Sequence, residues 1–162
     1  MPSTVLEPAA GLWAPLAGVV RASWRALAAM VALMAGVALV AGLLVGDLAT
    51  PLAAAGWGII VTWSSLALHE WGHVLAHRLG GAARRGEGLV CGEWSGVWVS
   101  LPATGPVHSR LTALAGPLVG AALCGLWLLA GAPAWIAGVV ALVHLGNLMP
   151  VFPDGRILFR GA

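Results

Sequence analysis

Charge is what this 162-residue sequence has least of. Only 9% of its residues are charged against 60% hydrophobic, and the mean hydropathy is +0.93. Soluble globular domains average about 25% charged residues, so the composition points to the membrane class. Lysine is absent: the eight basic residues are all arginine, and the net charge is only +2. No basic run with interleaved aromatics occurs, so no nucleic-acid partner is expected. Cysteine is scarce as well. Cys91 and Cys124, one in a loop and one mid-span, form no framework, and reduced thiols are expected. There is no internal repeat and no low-complexity linker, and the length suits one integral-membrane domain over 1–162 rather than two. The N-terminus also lacks the basic start of a cleaved signal peptide. Glu7 stands where that region should be, and Arg21 and Arg25 come later.

What is there is a series of apolar runs. "GLWAPLAGVV", Gly11 to Val20, is too short to span and is expected at the interface. Four longer stretches read as transmembrane helices: Ala26 to Gly46, Leu52 to about Arg78, Leu111 to Ala130 and Ala134 to Met149. The first is 21 residues, roughly 31 Å at 1.5 Å per residue, which matches a hydrocarbon core of about 30 Å. Pro51 suits the first turn of the second and Gly80-Gly81 its end. "GPLVG" in the third has the small-xxx-small spacing of close helix packing. Pro150 stops the fourth. Four spans put all eight arginines on one side, which the positive-inside rule makes cytoplasmic, together with both termini. Between the second and third spans, Leu89 to Trp94 and Val97 to Leu101 read as two extended runs joined at Ser95-Gly96. The fold class expected is therefore an all-α polytopic membrane protein of four helices, with a short membrane-associated β-hairpin between the second and third.

Chemistry is concentrated in "SSLALHEWGHVLAH". His69, Glu70 and His73 form HExxH, which this composition would produce by chance in roughly one chain in three hundred. Residues i and i+4 share a helix face, so His69 and His73 can present imidazole nitrogens to one ion. Glu70 is turned about 100° from His69, beside the ion without needing to bind it. That arrangement suits a zinc ion, a water and a carboxylate base. His69 lies roughly 26 Å along the helix from Leu52, near the cytoplasmic boundary, where an ionisable group is costly enough to imply a function. His77 is about 12 Å further along, too far to share an ion with His69 on a straight helix. It reads as interfacial or supporting.

Two histidines leave zinc short of a ligand. "HLGNLMPVFPDGRI" offers one: Asn147 is an intramembrane amide, and Asp154 follows Pro150 at the cytoplasmic level of His69 and His73. Val151 to Pro153 reads as extended, with Gly155 giving a turn the freedom to aim the Asp154 carboxylate. Pro-Asp-Gly is also a common turn sequence. If it is only a turn, His77 and Glu93 are the remaining candidates for third ligand.

These residues together resemble the site-2 protease family of intramembrane zinc metalloproteases. The family carries HExxH on one core span and Asn-x-x-Pro followed by Asp-Gly near the end of a later one; the matching positions are His69, Glu70, His73, Asn147, Pro150, Asp154 and Gly155. The three-span core would cover Leu52 to Gly155, with a membrane-associated hairpin that the family also has. The resemblance implies one Zn²⁺ on His69, His73 and Asp154, Glu70 as catalytic base, and Asn147 near the substrate oxyanion. It also implies a membrane-protein substrate with a transmembrane segment, in a bacterial plasma membrane. In many members one more residue separates Pro from Asp, Leu precedes the Asp and a second Gly follows, whereas here Pro153 and Arg156 flank Asp154-Gly155. No PDZ or nucleotide-sensing domain is expected, which would make this a minimal member. Two alternatives stay open. One is a non-catalytic membrane protein holding haem or metal through helix histidines, with His144 facing His73 or His77. The other is an inactive protease relative.

Overall fold

The computed structural model describes residues 3–6, 13–80, 88–93, 96–102 and 104–160. The molecule is mostly helical, in the order β1 (Ser3–Leu6), α1 (Trp13–Ala22), α2 (Trp24–Val45), α3 (Ala49–Leu79), β2 (Gly88–Glu93), β3 (Gly96–Ser100), α4 (Pro106–Leu129), α5 (Ala134–Gly146) and α6 (Pro153–Arg160). Three helices are long and apolar enough to cross a membrane: α2, α3 and α4. Their outward residues are large and apolar, Leu44 at 82% and Leu129 at 87% exposed. Such surfaces are costly in water and at home in lipid.

Local chemistry sets the helix ends. α2 stops at Gly46, whose φ of 75° is left-handed and whose N–H returns to the Gly42 carbonyl. Three residues later α3 begins under Asp47, whose Oδ1 accepts from the amides of Ala49 at 2.9 Å and Thr50 at 3.4 Å. The Thr50 hydroxyl and these amides hold the Asp47 carboxyl below its ordinary pKa. Pro51 falls in the first turn of α3, as expected, and Gly80 follows its last residue. Gly81 and Ser95 lie outside the described residues. α4 starts earlier than Leu111, with Pro106 as its first residue.

Two expectations need revision. α5 covers 13 residues, roughly 20 Å, and is shorter than the expected Ala134–Met149. After Gly146 the backbone winds off through three-residue bonds, Leu148 N–H to Leu145 O and Met149 N–H to Gly146 O, before Pro150. The hairpin, in turn, is part of a three-stranded antiparallel sheet, because β1 pairs with β2 on the edge away from β3. Four residues ahead of the apolar runs gave too short a pattern to identify β1 as a strand. The interfacial stretch becomes α1, with Trp13 stacked on Trp71 of α3 at 5.6 Å. Cys91 lies in β2 rather than a loop, Cys124 is buried in α4, and both are free.

Two apolar clusters grip α3 from different sides. Val19, Ala22, Ala67, Val74, Val90 and Val97 tie it to α1 and the sheet. Val61, Cys124, Ala132, Ile136 and Ala137 tie it to α4 and α5. Ala67 and Val74 of the first cluster interleave with the polar run of α3 and fix its rotation against the sheet.

Candidate metal centre

One α3 face carries His69 and His73 inward, at 3% and 8% exposure, with their Nε2 atoms 3.2 Å apart. Asp154 meets them from α6: its Oδ2 is 3.4 Å from His69 Nε2 and its Oδ1 is 3.4 Å from His73 Nε2. Among the described residues these three form the one group of histidine, cysteine or carboxylate side chains that could hold a metal ion, with ligand atoms all within 4.8 Å. The backbone carries Asp154 there by a route the sequence did not suggest. Met149 to Phe152 is a closed turn, with the Phe152 amide bonded to the Met149 carbonyl at 3.0 Å, and α6 begins at Pro153. The expected extended stretch over Val151 to Pro153 is thus replaced by a turn and a helix start. Gly155 serves space rather than conformational freedom. It is buried, its φ is not positive, and a Cβ there would run into the Met149 carbonyl, while its N–H bonds the Asn147 carbonyl at 3.0 Å.

The remaining ring nitrogens are engaged. His73 Nδ1 donates to the Thr112 carbonyl of α4 at 2.7 Å. His69 Nδ1 lies 3.0 Å from His144 Nδ1 of α5, and the two rings stack with centroids 5.0 Å apart. The "GPLVG" spacing of α4 is what admits both imidazoles. A Cβ on Gly116 would strike the His73 ring, and one on Gly120 the His144 ring. His144 therefore faces His69, not His73 or His77 as the haem alternative required.

Glu70 points from α3 toward the sheet. Its Oε2 accepts the Val99 amide of β3 at 2.9 Å, and its Oε1 is 4.0 Å from His69 Nε2. A cavity of about 480 Å³ opens against the cluster, lined by Glu70, Val99 and Asn147 among others. Asn147 caps α5 and borders this cavity. His77 borders it one helical turn beyond His73, its ring 5.7 Å from that of His108, and takes no part in the cluster. The Glu93 side chain lies outside the described residues. Sequence reading named His144 only in the haem alternative, and it missed Ser65, whose Oγ is 2.9 Å from His144 Nε2, and the Thr112 carbonyl. The only signal for the first two was an unexplained polar residue in each of two apolar helices.

The chain matches no protein-family model, no characterised protein and no solved structure.

Proposed function

We propose that this protein is an intramembrane zinc metalloprotease, cutting a peptide bond in or near a transmembrane segment of a membrane-protein substrate. One observation carries the reading. Ligands about 2.0–2.1 Å from a tetrahedral zinc ion lie about 3.3–3.4 Å from one another. The nitrogen–nitrogen separation here is 3.2 Å, and Asp154 sets a different oxygen 3.4 Å from each nitrogen, Oδ2 from His69 and Oδ1 from His73, so that one ligand atom from each residue lies within 4.8 Å of the others. Two neutral imidazoles and one carboxylate, with a cavity on the open side, are the donor set of a catalytic rather than a structural site. A zinc ion held there would supply Lewis acidity, polarising a carbonyl and acidifying water.

The protein's own groups do the rest. Glu70, beside the cluster and at the cavity wall, takes the proton of the attacking water and returns it to the leaving amine. Asn147 is on the same wall to offer its amide to the developing oxyanion. The outer edge of β3 receives the substrate. Val99 pairs with Val90 but sends its N–H outward to Glu70, so by the alternation of an antiparallel ladder Val97 presents its backbone groups to the same edge. An extended substrate segment can pair there by strand addition.

Four crossings, with both termini cytoplasmic in a bacterial plasma membrane, fit this reading. β1 pairs with β2 although α2 and α3 lie between them, so an even number of crossings separates them. Asp154 returns to His69 after α4 and α5, which asks the same of that pair. α5 can be short because the turn after it stops at the depth of the site, and α6 continues outward. Irregular backbone at that depth is tolerated where it lines a cavity.

The test is Glu70→Gln, with membrane-protein substrates co-expressed. Zinc occupancy should stay near wild type while cleavage is lost, because the base is removed and the ligands are kept. Substantial remaining proteolysis would reject the mechanism.

A further inference from the structure

We infer that His144 is the positioning residue for the metal ligand His69, acting through a hydrogen-bonded relay that ends on Ser65. This rests on the metal site proposed above. A neutral imidazole has one N–H and one lone pair, and His69 must turn the lone pair of Nε2 toward the ion. Its Nδ1 then carries the hydrogen and needs an acceptor. His144 Nδ1 is that acceptor, at 3.0 Å. His144 must then be protonated at Nε2, which donates to Ser65 Oγ at 2.9 Å. The Ser65 hydroxyl in turn donates to the Thr62 carbonyl at 3.1 Å. Each donor is used once and each step points the same way.

The opposite direction is equally connected but excludes the ion. If His144 Nδ1 donated to His69, the His69 hydrogen would sit on Nε2, in the space between His73 and Asp154. The two ligand histidines therefore differ in kind. His73 is fixed by the Thr112 carbonyl, which can only accept, so backbone alone dictates its tautomer. His69 is fixed by a side chain that could either accept or donate, so its tautomer depends on residues 144 and 65. Water is poorly placed to substitute, since Ser65, His69 and His144 are 0%, 3% and 5% exposed. Loss of such an orienting partner typically weakens metal binding about 10- to 100-fold.

The experiment uses the full chain purified in detergent. It measures zinc affinity by competition with a chromophoric chelator, the visible spectrum of the Co²⁺-loaded protein, and metal-free thermal unfolding. His144→Phe keeps a ring but no acceptor, and should bind zinc about 10- to 100-fold more weakly with a shifted Co²⁺ band. His144→Asn restores an acceptor near the place of Nδ1 and should recover much of both. Ser65→Ala should fall between wild type and His144→Phe. Wild-type affinity and an unchanged band in His144→Phe would overturn the relay. So would equal losses in the Phe and Asn variants that merely track lowered unfolding temperatures. If His144→Phe does not fold, wild-type zinc affinity in both other variants overturns it. Failure of the unmodified protein to bind zinc would instead bring down the metalloprotease reading itself.

Discussion

Asp154 is the residue on which the metal reading turns, since it alone brings charge to two neutral imidazoles. Asp154→Ala should lower zinc occupancy markedly, and Asp154→Asn less, because an amide oxygen can still reach the ion; metal analysis of the purified variants checks this. Asp47→Ala is the matched control. Asp47 caps α3 at its far end through the Ala49 and Thr50 amides, so its loss should loosen that helix start and leave zinc unchanged. Full zinc and activity in Asp154→Ala would reduce Asp154 to an acidic residue in the first turn of α6. His69, Glu70 and His73 were legible because helical periodicity alone decides which of them share a face. Asp154 was legible as a donor but not in its setting, since the bonds that shape Met149–Gly155 are backbone to backbone and leave little trace in side-chain identity. His144 was illegible in role. A histidine in an apolar helix says only that a partner exists, and His69 is 75 positions away.

At the scale of elements, β3 makes two separable contributions. Its Val99 amide holds Glu70, while Val97, two residues earlier on the same strand, presents its backbone groups to the same outer edge by alternation. Proline at either position removes one outward donor on an edge strand, where proline is tolerated. Val97→Pro should weaken substrate turnover through strand addition alone. Val99→Pro should weaken it further, because Glu70 also loses its hydrogen bond, and zinc should stay bound in both. Turnover measured on one co-expressed substrate distinguishes them, and unchanged turnover in Val97→Pro would remove the edge from the mechanism. The hairpin could be read from two short β-branched runs around a turn. β1 could not, because its reason for being a strand is the free edge of β2, supplied more than eighty positions later.

For the whole molecule, the expected map has β1, the hairpin and α6 on the cytoplasmic side. Reporter fusions at position 1 and after Ala162 should both report inside, and an outside signal at either would break the four-crossing arrangement. Composition and the long apolar runs made the helical membrane class readable. They could not reveal that α5 stops short, because an apolar run continues past the point where Asn147 and Pro150 end its helical bonding. The pairing of β1 with β2 also dictates an order of events during synthesis. β1 is made before β2 and has nothing to pair with until α2, α3 and β2 have followed it. The sheet is therefore a late contact that closes only after both long helices exist. The metal cluster is later still, with Asp154 delivered to His69 and His73 only after α4 and α5 are also made.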